Sequence, residues 1–158
     1  MTQSFLITLL SGLKTLLETI TVANGYNTDV ALVDYDFKTP DQVSSKQLPA
    51  LLIVPGTIDI QETGNRQAEG SFTISLFGYV MDNTAPTEKM LKLQQDVIAC
   101  LAGEENRIAG CSYIKPRRVE MSASVFSIFG YQGGVAAPYA AFRIDLEAYY
   151  SFSMVNGG

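Results

Sequence analysis

From Pro138 to Phe152 (PYAAFRIDLEAYYSF) the chain alternates. Phe142, Ile144, Leu146, Ala148, Tyr150 and Phe152 take every second position, and Arg143, Asp145, Glu147, Tyr149 and Ser151 fill the gaps. Successive side chains of a strand point to opposite faces, so the stretch predicts one long strand, apolar on one side and polar on the other. An apolar strand face needs antiparallel neighbours and an apolar cover. Two stretches with helical spacing can supply the cover. Ser4–Ala23 carries Leu6, Leu9, Leu10, Leu13, Leu16, Leu17 and Ile20, with Asn24-Gly25 as the stop. Asn83–Gly103 carries Met90, Leu91, Leu93, Val97, Ile98 and Leu101. Asn83 or Thr84 can cap this second helix, Pro86 suits its first turn and Gly103 ends it.

The neighbours of the long strand are read from shorter patterns. Val30–Tyr35 predicts a short strand, Asp36–Leu48 a polar loop, and Pro49–Gly56 (PALLIVPG) a buried strand bounded by prolines. Ile58 and Ile60, then Phe72, Ile74, Leu76 and Val80, alternate with polar residues on either side of a turn near Gly64-Asn65, which predicts a hairpin over about 57–80. Tyr113–Ala123 predicts another strand. The resulting expectation is a single α+β domain over residues 1–158. It has an antiparallel (mixed) β-sheet, two amphipathic helices packed on one face, a projecting β-hairpin and an apolar, glycine-rich loop over 124–137.

Composition narrows the function. Of 158 residues, 47% are hydrophobic and 17% charged, which is globular rather than disordered. A net charge of -5 gives no general attraction to nucleic acid or anionic membranes. No apolar run approaches the roughly 20 residues of a membrane span. The opening MTQSFLITLLSGLKTLL lacks the basic leading region of a signal peptide and is interrupted by Lys14, so a soluble protein made in the cytoplasm is expected. Histidine is absent, which removes the usual general base and the commonest metal ligand. Cys100 and Cys111 form no CxxC; they read as buried thiols, with a short-loop disulfide as the alternative. Asp34 and Asp36 share a strand face and could hold a divalent cation, or simply end a strand in water. Lys115, Arg117 and Arg118 are the basic cluster, better read as a polar strand face than as a nucleic-acid site. Phosphate-loop, dinucleotide, nucleophile-elbow and zinc-protease motifs are missing. No enzyme, no cofactor and no metal is therefore expected.

Two stretches read as contact elements. One is the hairpin tip, with Glu62, Arg66 and Glu69; a merely solvated tip is the alternative. The other is the uncharged segment carrying Val125, Phe126, Ile128, Phe129 and Tyr131, where a cap over the chain's own core is the alternative.

In this order of elements the chain resembles the tail terminator (tail completion) proteins of long-tailed bacteriophages. The resemblance is carried by the leucine-rich first helix running into Asn24-Gly25-Tyr26, by Pro49-Ala50-Leu51-Leu52-Ile53-Val54, by the hairpin into Gly70-Ser71-Phe72-Thr73-Ile74-Ser75-Leu76, by the single following helix, and by the last strand with Ala140-Ala141-Phe142-Arg143-Ile144. It implies a virion protein that forms a homo-hexameric ring on the last ring of the tail tube, stops tube growth and presents the neck, or head-connector, docking surface. In contractile tails it implies contact with the sheath. DNA would pass through the ring without specific binding. The family offers no catalytic residues. Another neck or head-completion subunit, or a small soluble ligand-binding domain, is the alternative.

Overall fold

The computed structural model describes residues 5–36, 38, 42–64, 67–103, 108, 113–121 and 139–153. In chain order the elements are α1 (Phe5–Leu17), β1 (Leu32–Asp34), β2 (Ala50–Gly64), β3 (Gln67–Met81), α2 (Pro86–Gly103), β4 (Tyr113–Met121) and β5 (Tyr139–Ser153). The five strands form one sheet in the order β1-β2-β3-β5-β4. The pairs β2–β3, β3–β5 and β5–β4 are antiparallel, and β1 runs parallel to β2, so the sheet is mixed and the fold is α+β. The hairpin is longer than its sequence signal: β2 and β3 pair from Ala50↔Tyr79 to Gly64↔Gln67, and β5 follows β3 along all fifteen residues.

The alternation of β5 decides the layering. Phe142, Ile144, Leu146, Ala148 and Tyr150 are buried on the helix side, opposite Gly78, Leu76, Ile74, Phe72 and Gly70 of β3. The α1 helix packs on β1 and β2, while α2 packs on β3, β5 and β4. Leu9, Leu13 and Leu17 from α1 and Met90, Leu93, Val97 and Leu101 from α2 close the same core. Each fully buried leucine or isoleucine contributes about 1.5–3 kcal/mol relative to exposure.

Two glycines make room for rings across the strand. A Cβ at Gly78 would collide with Phe142 Cζ, and one at Gly70 would lie 2.6 Å from both the Tyr150 hydroxyl oxygen and the Asp59 carbonyl oxygen.

A second, smaller core lies on the other face. Leu52, Phe77, Tyr79 and Ala141 are buried there under Val43 and Leu48 of the loop before β2. The Tyr79 hydroxyl donates to the Lys38 carbonyl oxygen at 2.6 Å, tying loop to sheet. Residues 76–80 of β3 are therefore buried on both faces, and the polar loop is the cover for one of them.

Both helices depart from their expected ends. The first stops at Leu17 rather than Ala23: the Thr19 hydroxyl donates to Leu16 O at 2.6 Å, and backbone bonds from Thr19 to Leu16 and from Ile20 to Leu17 tighten the exit. Ile20 is still buried, so the helical spacing outlasts the helix. Asn24-Gly25 instead ends a short 3-10 turn, Val22–Asn24, with Gly25 at φ 95°. The second helix begins at Pro86, and the group before it is Asp82 rather than Asn83 or Thr84. The Asp82 carboxylate accepts from the backbone N–H groups of Thr84 and Ala85 at 2.9 and 3.0 Å. Those bonds lower its pKa from 3.8 to about 2.

Candidate interaction surface

The β2 strand changes character midway. Ala50, Leu51, Leu52 and Ile53 are buried; Pro55 to Gln61 are exposed. The cause is the reach of its neighbours. The parallel partner β1 pairs only with Ala50, Leu51 and Leu52, and among the described residues no other strand pairs with that outer edge. Ile58 and Ile60 sit opposite Phe72 and Gly70, on the helix side of the sheet, yet they are 37% and 61% exposed. Large apolar side chains on an open strand edge are costly to leave in water and prone to pairing.

The pairing of β2 with β3 shifts register between Pro55 and Ile58, and that of β4 with β5 shifts between Pro116 and Arg118. Pro55 is opposite Ile74, Ile74 opposite Leu146, and Leu146 opposite Pro116. Both edge strands therefore bulge at the same level of the sheet. A bulge bends its strand and increases the local twist.

The face away from the helices carries charge beside the loop-covered patch. Arg143 lies between two carboxylates, with Nη2 3.1 Å from Glu120 Oε1 and donating to Asp145 Oδ2 at 3.5 Å, and Nε 3.2 Å from Asp145 Oδ1. Asp145 also accepts from Ser75 Oγ at 3.3 Å, and Arg118 reaches Glu120 at 2.7 Å. Arg117, the extra residue of the β4 bulge, donates to Glu147 at 3.2 Å and to the Tyr149 hydroxyl. The Tyr149 phenol is raised, first by its hydrogen bond to Glu147; the Tyr150 phenol is raised by burial, with the Asp59 charge adding to it.

The acidic pair proposed from sequence is occupied otherwise. Asp34 pairs with Lys38 at 3.6 Å, and no cluster of metal-ligating side chains occurs among the described residues. A cleft of about 520 Å³ lies between the Val22–Asp29 turn, Pro49 and the start of α2. Its acidic groups already have partners: Asp29 accepts from Val22 N at 2.8 Å, Asp82 accepts from Thr84 N and Ala85 N in the turn before α2, and Glu88 pairs with Lys92 at 3.4 Å. The buried Asp96 sits behind it, accepting from Asn27 N and Nδ2 at 3.0–3.1 Å, and fixes the turn to α2. Cys100 is buried with its thiol 3.5 Å from Leu16 O, and Cys111 lies outside the described residues. None of the described helices is long and apolar enough to cross a membrane.

Of the residues expected to make contacts, Glu62 lies in β2 opposite Ala68, and Glu69 lies exposed in β3 opposite Gln61. Arg66, Val125, Phe126, Ile128, Phe129 and Tyr131 lie outside the described residues. The open β2 edge with Ile58 and Ile60 was not singled out from sequence, where their alternation looked like that of any half-buried strand.

The architecture is thus a mixed five-stranded sheet, covered by two helices on one face and by a loop on part of the other, with an edge that no strand among the described residues covers. No family model and no curated protein matches the chain. Among solved structures it is similar to a chain described as "Cryo-EM Structure of an Extracellular Contractile Injection System, PVC sheath/tube terminator in extended state", with a TM-score of 0.49 and 14% identity. The match covers 97% of this chain and 58% of that one, so this chain spans less than two-thirds of its length.

Proposed function

We propose that the chain is a structural subunit of the tail-terminator kind, which assembles with copies of itself into a ring on the end of a tail tube. The ring halts tube growth and offers the docking surface for the neck or head connector, with the sheath as a further neighbour in a contractile tail. The observation that supports this best is the uncovered arm. The strands β2, β3 and β5 are fifteen residues each, against a usual five or six, and β2 leaves Ile58 and Ile60 outside the chain's own core. Strand length beyond what the core requires, ending in an exposed apolar edge, suits a protein whose task is contact. The order of elements on which the resemblance to tail terminators rests agrees with it.

In this reading the chain is not an enzyme and needs no cofactor. Its net charge of -5 keeps attraction for phosphates low, which suits a ring that lets DNA pass unbound. The hexameric count and the place in a virion tail belong to the same proposal. The test is to add the purified chain to its polymerising tube protein and measure tube lengths by negative-stain imaging. Short tubes with a terminal ring are expected. Tubes that grow equally long with a saturating amount of the chain present would exclude a terminator.

A further inference from the structure

The two outer edges of the sheet are suited to each other, and we propose that β4 of one copy pairs antiparallel with the open stretch of β2 of the next copy. Among the described residues no strand lies outside β4, and β1 occupies the β2 edge only as far as Leu52. An open strand edge is a template for another strand.

Direction fits. Because β2–β3, β3–β5 and β5–β4 are all antiparallel, β4 runs opposite to β2. A copy placed alongside by rotation about an axis along the strands brings its β4 antiparallel to β2, with both helical layers on the same side.

Level fits as well. Through the registers, Tyr113 is level with Asp59 and Val119 with Ile53, so residues 113–119 of β4 come alongside the stretch that β1 leaves open, while Glu120 and Met121 are level with Leu52 and Leu51, which β1 pairs. The two bulges fall level with each other, so the bends match.

Charge and apolar surface then select the partner. Within the level stretch β2 carries Asp59, while β4 carries Lys115, Arg117 and Arg118, of which Arg117 also pairs with Glu147 and Arg118 with Glu120. Pairing β2 with a second β2 would set acid against acid, and β4 with β4 base against base. Ile58, exposed on the helix side, is level with Ile114, so one continuous sheet would cover it. The contact joins two different edges. It is therefore heterologous and repeats from copy to copy, closing into a ring when the rotation allows. Closure into a ring rests on the function proposed above; the edge-to-edge contact stands on direction, level and charge.

The test uses two variants of the full chain. Thr57→Lys with Asp59→Lys blocks the β2 edge, and Lys115→Glu with Arg118→Glu blocks the β4 edge. All four positions are exposed, so the thermal midpoint of the monomer should match wild type. By native mass measurement the wild type should form oligomers, each variant alone should be monomeric, and an equimolar mixture should give a one-to-one heterodimer and nothing larger. Hydrogen exchange on the wild type supplies a readout free of substitutions: the outward-pointing amides of 53–59 and of β4, those not bonded to β3 or β5, should gain protection only on assembly. Wild-type oligomers surviving in either variant, a mixture that stays monomeric, a wild type monomeric at its highest soluble concentration, or edges already protected in the dilute monomer would each overturn the proposal. Rings that survive both blocks leave the terminator function standing without this contact. Rings lost in the variants, with tubes that ignore wild-type protein, leave the contact standing without that function.

Discussion

Two halves of one strand behave as if they belonged to different proteins. From Ala50 to Ile53, β2 is sealed by β1, α1 and the loop around Val43; from Pro55 to Gln61 it is open. The open half is the more polar, with Thr57, Asp59 and Gln61, but residue type does not account for its isoleucines, since Ile53, Ile58 and Ile60 are the same side chain. What differs is whether a neighbour reaches them. Stability should therefore reside in the covered half, and association in the open one.

The sharpest way to break this comparison is to put one charge into each region. Ile144→Asp places an unpaired carboxylate where exposure is 0%, and should cost several kcal/mol, a large fraction of a typical domain's roughly 5–15 kcal/mol. Ile60→Asp should change stability by about 0.5 kcal/mol or less. Thermal melts of both decide it: equal losses would mean that the open half of β2 is part of the core.

A smaller effect is expected from Gly78→Ala. The added methyl collides with the Phe142 ring and should cost about 1–3 kcal/mol, measured by urea unfolding. An unchanged midpoint would show that the ring can shift freely and that the covered half is loosely packed.

The helical cover has its own anchor in Asp82. Its folded pKa of about 2 lies below the ordinary 3.8, so the carboxylate stabilises the fold fully above pH 3.8 and progressively less as pH falls toward 2. Asp82→Ala should lower the melting temperature at pH 7, and the gap to wild type should close between those pH values. A gap independent of pH would assign the loss to something other than the capping charge.

The smallest effect belongs to the charge pair on the face away from the helices. Glu147→Lys removes the partner of Arg117, but Arg117 is exposed and Glu147 only half-buried, and the midpoint should stay close to that of wild type. A clear loss would extend the covered region to that face.

Much of this contrast was legible beforehand, and its gaps have physical causes. The alternation of β5 placed Phe142, Ile144, Leu146, Ala148 and Tyr150 correctly, because a period of two has one meaning when one face is buried. The end of α1 was misread because Ile20 keeps the stripe while the Thr19 hydroxyl turns the chain. Phe77 and Tyr79 escaped notice as core because their cover comes from a loop with no periodicity, 36–48, whose role is visible only once Tyr79 meets Lys38. Ile58 and Ile60 misled in the opposite sense: alternation announces that a face will be covered, and says nothing about which chain covers it.

The glycine–ring pairs bear on how such a sequence can drift. Phe142 occupies the volume that a side chain at position 78 would fill, whereas at Gly70 the Asp59 carbonyl oxygen is as close as the Tyr150 hydroxyl, 2.6 Å, so trimming the ring alone would not make room there. Gly78 cannot enlarge alone, so the Gly78–Phe142 pair behaves as a single site with two letters. A relative with alanine at 78 should carry a smaller residue, such as leucine, at 142, and the order of change is constrained: the ring must shrink before the glycine can grow.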